Sequence, residues 1–83
     1  MVELVPKYDK RKSFYKKANV REEDNKLILS SYGTDVCFIK GSKAHIYALH
    51  SDTTTRHIKE FLKQNGFKVD SSKQILNDYS DVI

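Results

Sequence analysis

The stretch between residues 34 and 66 limits the possible folds more than any other part of the chain. Its first half contains two runs of alternating apolar residues, 35–40 and 43–49, on either side of Gly41-Ser42. A two-residue connection with glycine in first place is typical of a type II′ turn, which joins antiparallel strands. This half therefore predicts a β-hairpin.

The second half has the pattern of a helix whose two ends are both marked. Ser51 or Asp52 is suited to cap the first turn, and Gly66 is suited to the left-handed conformation that commonly ends a helix. Between these ends the apolar residues recur with the helical period. We therefore expect one amphipathic helix at residues 53–65. Its apolar side consists of Thr54, Ile58, Phe61 and Leu62.

Another hairpin is expected nearer the N-terminus. Asp24 and Asn25 tolerate left-handed backbone angles and separate two further runs, 13–22 and 26–32. Because side chains alternate along a strand, this hairpin would have one apolar face. That face comprises Phe14, Ala18, Val20, Leu27 and Leu29.

Together these elements predict an α+β fold, in which a four-stranded antiparallel meander made of two hairpins packs on one main α-helix. Because aliphatic side chains pack closely against one another, we expect the helix to cover the sheet face that carries Cys37, Ile39 and Ile46. The four strands are expected at residues 13–22, 26–32, 35–40 and 43–49. The uncovered face would then carry Val36, Phe38, His45 and Tyr47.

The 83 residues suffice for one domain, which we expect at residues 13–70. Residues 1–12 are predicted to be a flexible basic arm, and residues 71–83 an acidic tail that has room for a short helix. The formal net charge is +4, with basic residues concentrated near the N-terminus. Such an arm attracts phosphate and favours nucleic acid as a partner, although a lysine-rich end also serves simply to keep a small domain soluble.

Several features of the chain disfavour other classes of protein. Cys37 is the single cysteine, which excludes an internal disulfide and indicates a reducing compartment. Its place in an apolar run favours a buried, unreactive thiol. The N-terminus lacks the order of a secretory signal, and no apolar run has the length of a membrane span, so we expect a cytoplasmic protein without a membrane partner.

Signatures of chemistry are weak. Residues 53–57 place three threonines, Arg56 and His57 at a helix start, where backbone N–H groups attract phosphate, but threonines there are also ordinary capping residues. His45, His50 and His57 lack the spacing of metal ligands. We therefore expect no metal, no cofactor and no enzymatic activity. A phosphate-handling enzyme built on Arg56 and His57 is kept as an alternative.

The uncovered sheet face is the most concrete candidate surface. Phe38, His45 and Tyr47 lie among lysines there, with Lys40 and Lys43 at the rim. Aromatic rings between basic residues on an open strand face are typical of surfaces on which unpaired bases stack, at about 1–3 kcal/mol per base. The alternative is that this face is part of a core, covered by the arm, the tail or a second copy of the chain.

Three segments resemble a family of small proteins without assigned activity that are encoded by bacteriophages and prophages of Gram-positive bacteria. The segments are Ser13-Phe14-Tyr15, residues 29–34 and residues 51–67, the last of which begins with the pattern Ser-x-Thr-Thr-x-Arg-His. The resemblance implies a bacterial host cell as the setting and implies no site. Phage proteins of this size commonly bind nucleic acid or block a host protein.

The sequence thus predicts a small non-enzymatic phage-type accessory protein that binds nucleic acid. The alternative is a protein-interaction module, either a homodimer or an inhibitor of a host protein. The residues expected to bind nucleic acid are Lys10, Arg11, Lys12, Lys16, Lys17, Phe38, Lys40, Lys43, His45, Tyr47 and Arg56.

Overall fold

A five-stranded antiparallel sheet, in which the strands follow one another in chain order, forms the framework of the protein. The computed structural model describes residues 2–10, 12–47 and 51–79. The strands are β1 (Val2–Glu3), β2 (Ala18–Glu23), β3 (Lys26–Ser31), β4 (Thr34–Lys40) and β5 (Lys43–Ile46). The helices are α1 (Asp52–Gln64) and α2 (Ser72–Tyr79). The α+β class and the two expected hairpins are confirmed, β1 is added to the four predicted strands, and α2 lies in the segment that was predicted to have room for a short helix.

Both predicted hairpin turns are present. Asp24 and Asn25 have φ angles of 53° and 64°, as a type I′ turn requires, and Glu23 pairs with Lys26 across them. Gly41 has a φ of 62°, and Lys40 pairs with Lys43. The residue types at these turns therefore determine the pairing of β2 with β3 and of β4 with β5.

The predicted strand boundaries are too wide at three places. The first long strand begins at Ala18 and not at residue 13, because Tyr15 and Lys16 form a tight turn with φ angles of 53° and 62°. The strand expected to reach residue 32 ends at Ser31, because Tyr32 belongs to the next turn with a φ of 53°. The last strand ends at Ile46, and residues 48 and 49 of its predicted range lie outside the described residues.

Helix α1 begins and ends as its sequence predicts. The Ser51 hydroxyl accepts the backbone N–H of Thr54 at 3.1 Å, so Ser51 is the N-cap. At the other end Gly66 has a φ of 84°, and the N–H of Phe67 donates to the carbonyl of Leu62 at 3.0 Å. This six-to-one bond is characteristic of a glycine-terminated helix.

The hydrophobic core lies between α1 and one face of the sheet. Ile58, Phe61 and Leu62 of α1 are buried there with the aliphatic side chains of the hairpin, as predicted. The sheet side of this core includes Leu29, Cys37, Ile39, Ala44 and Ile46, and Ile75 of α2 completes it. Fully burying one such aliphatic side chain stabilises the fold by about 1.5–3 kcal/mol.

The expectation for Val36 is wrong. Leu29 pairs with Cys37 whereas Ser30 pairs with Asp35, so Val36 is an extra residue on β4 that forms a β-bulge. The bulge turns the Val36 side chain away from Phe38 and into the core, where it is fully buried beside Cys37.

The structure places the N-terminal segment differently from the predicted arm. Val2 and Glu3 form β1 at the edge of the sheet, and Leu4 is buried in the core. The carboxylate of Glu60 then accepts the backbone N–H groups of the following residues, Lys7, Tyr8 and Asp9. Arg11 lies outside the described residues.

The C-terminal segment also contributes to the folded domain through α2. None of the helices in the described ranges has the length and apolar character required to cross a membrane.

Candidate nucleic-acid interface

Three lysines lie side by side on the sheet face that α1 does not cover, here called the outer face. Lys26 of β3 is directly opposite Lys40 of β4, and Lys40 is directly opposite Lys43 of β5. Directly opposed residues project from the same side of a sheet, so their ammonium groups form one row. We call these three residues the lysine row.

An aromatic cluster adjoins the lysine row. The rings of Phe38 and His45 are stacked with centres 4.8 Å apart, and the ring of Tyr47 lies 5.5 Å from Phe38. The Nζ atom of Lys26 lies 4.9 Å from the centre of the Phe38 ring, a distance typical of a cation–π interaction. Phe38 is half-buried, and Tyr47 is 59% exposed. The outer face therefore presents one open ring and one partly covered ring beside three positive charges.

The opposite end of the outer face is electrostatically balanced. Arg21 forms two hydrogen bonds of 2.7 Å to the carboxylate of Asp35, and its Nε donates to Glu23 at 3.2 Å. The Ser30 hydroxyl also donates to Asp35 at 2.7 Å. The bonds from Arg21 and then Ser30 lower the pKa of Asp35 to about 2, and the same carboxylate raises the pKa of Arg21. Arg21 is thus neutralised by two acidic partners.

The lysine row has no comparable acidic partner. Glu23 lies opposite Lys26 across the first turn, but its carboxylate is bonded to Arg21. Within the part of the chain that the structure describes, none of the three lysines forms an ion pair. The lysine row is therefore a patch of uncompensated positive charge.

The other predicted binding residues that the structure describes lie apart from the lysine row. Lys10 and Arg56 line a cavity of about 290 Å³ on the solvent side of α1, together with Lys59 and Lys63. Because α1 packs on the inner face, these cations lie on the other side of the sheet from the lysine row. Lys17 and Arg56 line another cavity near the start of α1, and Lys12 and Lys16 are exposed. Of the predicted binding residues in the described ranges, Phe38, Lys40, Lys43, His45 and Tyr47 are brought together on the outer face.

Lys26 was missed by the sequence analysis. It reaches Lys40 only because the bulge at Val36 shifts the pairing by one residue. If the pairing of Ser31 with Thr34 continued without a bulge, Lys26 would lie opposite Ile39. The alternation of apolar and polar residues in β3 and β4 could have predicted this pairing. Only the shifted register places Leu27 and Ile39 on the same apolar face.

The start of α1 uses its hydroxyl groups internally. The Thr55 hydroxyl donates to the carbonyl of Ser51 at 2.9 Å, and the Thr54 hydroxyl lies 3.2 Å from that of Ser31. His57 is buried, with Nδ1 2.8 Å from the Ser31 hydroxyl oxygen. These contacts give Thr54, Thr55 and His57 roles in capping and packing.

A groove of about 530 Å³ lies at the edge of the sheet, between β1, β2 and the end of α1. Its apolar lining includes the exposed Val2 and Val5 with Leu27 and Phe61. It lies on the opposite face of the sheet from the lysine row, because Leu27 in its lining and the neighbouring Lys26 project from opposite sides of β3.

No curated protein and no solved structure is significantly similar to the chain. Residues 2–78 match the sequence model of a family of unknown function, DUF8033, and the chain belongs to this family.

Proposed function

We propose that the protein is a small non-enzymatic accessory protein of phage type that binds single-stranded nucleic acid through its outer face. The lysine row contacts phosphates, and the aromatic cluster stacks on unpaired bases. One observation carries the proposal: three neighbouring lysines, which form no ion pair with any described residue, lie directly beside the Phe38 and Tyr47 rings.

The arrangement of the lysines favours an anionic partner. Like charges that are directly opposed across strands destabilise a sheet, by about 0.2–1 kcal/mol for each pair. A phosphate backbone that lies along the row would remove this repulsion and would release its own counterions. The repulsion within the free protein therefore adds to the drive for binding.

The aromatic cluster favours single strands over duplexes. Tyr47 is open to a flat partner, and the bases of a single strand can leave their neighbours to stack on such a ring. The bases of a duplex are already stacked, so a duplex would contact only the lysine row. We expect tighter binding to a single strand than to a duplex of the same length.

Fluorescence anisotropy of labelled oligonucleotides at low and high salt tests the proposal. The test variant is Lys26→Ala/Lys40→Ala/Lys43→Ala, and the matched control is Lys10→Ala/Lys59→Ala/Lys63→Ala on the helix side. Both lose three charges. We expect the test variant to lose binding, with a decrease of about 2 in the salt slope for a single strand, and the control to bind nearly as the parent does.

Two results would overturn the proposal. The first is the absence of binding to any oligonucleotide at low salt. The second is equal weakening in the two triple variants, because that result would make binding a consequence of net charge and not of the outer face.

A second candidate function is a protein-interaction module, and the groove beside β1 favours it. This groove exposes Val2 and Val5 next to a short edge strand, a combination suited to an apolar partner. Light scattering of the parent protein and of Val5→Ser tests the homodimer form. A dimer in the parent that dissociates in the variant would support this function, and a monomer at all concentrations would exclude the homodimer.

A further inference from the structure

A cavity of about 350 Å³ lies where two tight turns meet the first turns of α1. One turn contains Tyr15, the other contains Tyr32, and α1 contributes Arg56 and His57. Its volume is within the range of small-molecule sites, about 300–1,000 Å³. Its lining includes Ser13, Tyr15, Lys17, Tyr32, Arg56 and His57.

Two tyrosines line this cavity, although the backbone conformation at both positions is unfavourable for a bulky residue. Tyr15 and Tyr32 each have a φ of 53°, a left-handed conformation that bulky residues rarely adopt and that glycine or asparagine would adopt easily. Their side chains are 72% and 55% exposed, so packing within the protein repays little of this cost. Both tyrosines therefore line the cavity from turns whose left-handed backbone conformation is unfavourable for tyrosine.

The polar part of the cavity is positively charged. Lys17 and Arg56 are its charged lining residues, and the described lining contains no aspartate or glutamate. Arg56 is 3.5 Å from a carboxylate oxygen of Asp9, a long contact on the neighbouring surface. A net positive charge therefore faces a ligand that enters the cavity.

The floor of the cavity is closely packed. The His57 ring lies 4.5 Å from the Phe14 ring and 5.8 Å from the Tyr32 ring, and its Nδ1 atom is held at 2.8 Å by Ser31. These contacts set the position of Tyr32 relative to α1. The cavity is thus formed before any ligand arrives.

We propose that this cavity binds a nucleoside monophosphate, with the base against the rings of Tyr15 and Tyr32 and the phosphate at Lys17 and Arg56. Flat aromatic walls select a planar ring system, and two cations in the same lining select an anionic group attached to it. A free mononucleotide and the phosphorylated end of a strand share this chemistry. The site goes beyond the proposed function, because it lies apart from the lysine row.

Isothermal titration calorimetry with three probes tests the site. The probes are deoxyadenosine monophosphate, deoxyadenosine and inorganic phosphate. We expect the monophosphate to bind at least about tenfold more tightly than either fragment, because only the whole ligand uses both the rings and the charges. Inorganic phosphate that binds as tightly as the monophosphate would overturn the proposal.

Matched variants assign binding to the cavity. Lys17→Ala should weaken monophosphate binding by about tenfold. Lys16→Ala, which removes the same charge from the adjacent exposed residue, should leave it unchanged. Tyr15→Asn and Tyr32→Asn should weaken binding without lowering the melting temperature, since asparagine tolerates the left-handed conformation. Equal effects of Lys17→Ala and Lys16→Ala would overturn the site.

Two further binding measurements distinguish a free nucleotide from a strand end as the ligand, and distinguish this site from the outer face. The triple alanine variant of the lysine row should keep its affinity for the monophosphate even if strand binding fails. In that variant, a 5′-phosphorylated oligonucleotide that binds more tightly than its unphosphorylated form would identify a strand end as the ligand. Equal binding of the two, with the monophosphate still bound, would identify the free nucleotide.

Discussion

Lys26 of β3 lies directly opposite Lys40 of β4 on the outer face of the sheet. The pairing depends on the bulge at Val36, which advances β4 by one residue relative to β3. With Lys43 on the other side of Lys40, the central lysine has a like charge on each side. We therefore expect the removal of this central positive charge to increase the stability of the fold and to weaken nucleic-acid binding.

The substitution Lys40→Glu should stabilise the fold and abolish nucleic-acid binding. It converts two repulsive cross-strand pairs into attractive ones, and we expect the free energy of unfolding to rise by about 0.5–1 kcal/mol at low salt. Urea denaturation measures the gain, which salt should reduce. The control is Lys12→Glu at an exposed position outside the sheet. A loss of stability in Lys40→Glu would contradict the repulsion inferred for the lysine row.

The Asp35 carboxylate should restrain nucleic-acid binding by neutralising Arg21. The bidentate contact between them, with Ser30 as a further donor to Asp35, occupies the guanidinium group at the edge of the outer face. Because Glu23 also bonds Arg21, the double variant Glu23→Ala/Asp35→Ala should raise the affinity for a single strand and increase its salt slope by about 0.7, the value for one added phosphate contact. Unchanged anisotropy curves for this variant would show that Arg21 does not reach the strand.

Stability below neutral pH should depend on Glu60, which is only 2% exposed. Burial alone would raise its pKa, but hydrogen bonds from Gln64 and from the backbone of Lys7, Tyr8 and Asp9 outweigh burial and lower it. Because the pKa in the folded protein is below that in the unfolded chain, the carboxylate stabilises the fold above about pH 4.3. This contribution is lost as the pH falls through the lowered pKa.

The variant Glu60→Gln tests this dependence. Its amide retains one acceptor oxygen but turns a donor toward backbone N–H groups, which should destabilise the fold by about 1.5–3 kcal/mol at neutral pH. Urea denaturation of both proteins across the acidic range should show the difference shrinking as the pH falls. Parallel pH profiles of the two proteins would show that Glu60 has the same pKa in the folded and unfolded states, which would contradict this prediction.

Cys37 should be inert in the folded protein. Burial raises the pKa of its thiol to about 12, so almost no thiolate exists at neutral pH. Labelling with a maleimide should therefore proceed only through unfolding, and its rate should follow the unfolded fraction as urea is added. Fast labelling without denaturant would mean that the hairpin core opens locally.

Local residue patterns predicted much of the fold correctly. Asp24-Asn25 and Gly41-Ser42 determine two hairpin turns because few other residues adopt left-handed angles easily. Ser51 and Gly66 likewise mark the ends of α1 through bonds to residues three to five positions away. These features depend on neighbours in the chain, so a short window of sequence contains the necessary information.

Sequence alone therefore determined the α+β class, the two hairpins, the capped helix and the sheet face that α1 covers. The tertiary structure decided the anchoring of residues 7–9 by Glu60, the burial of Val36 and the assembly of the lysine row. It also separated the predicted basic residues onto two sides of the sheet. The physical reason is distance along the chain. Glu60 accepts a hydrogen bond from the backbone N–H of a residue 53 positions earlier, and no local sequence preference predicts such a contact. The bulge likewise follows from the need to bury Leu27 and Ile39 on one face, which only the paired strands impose.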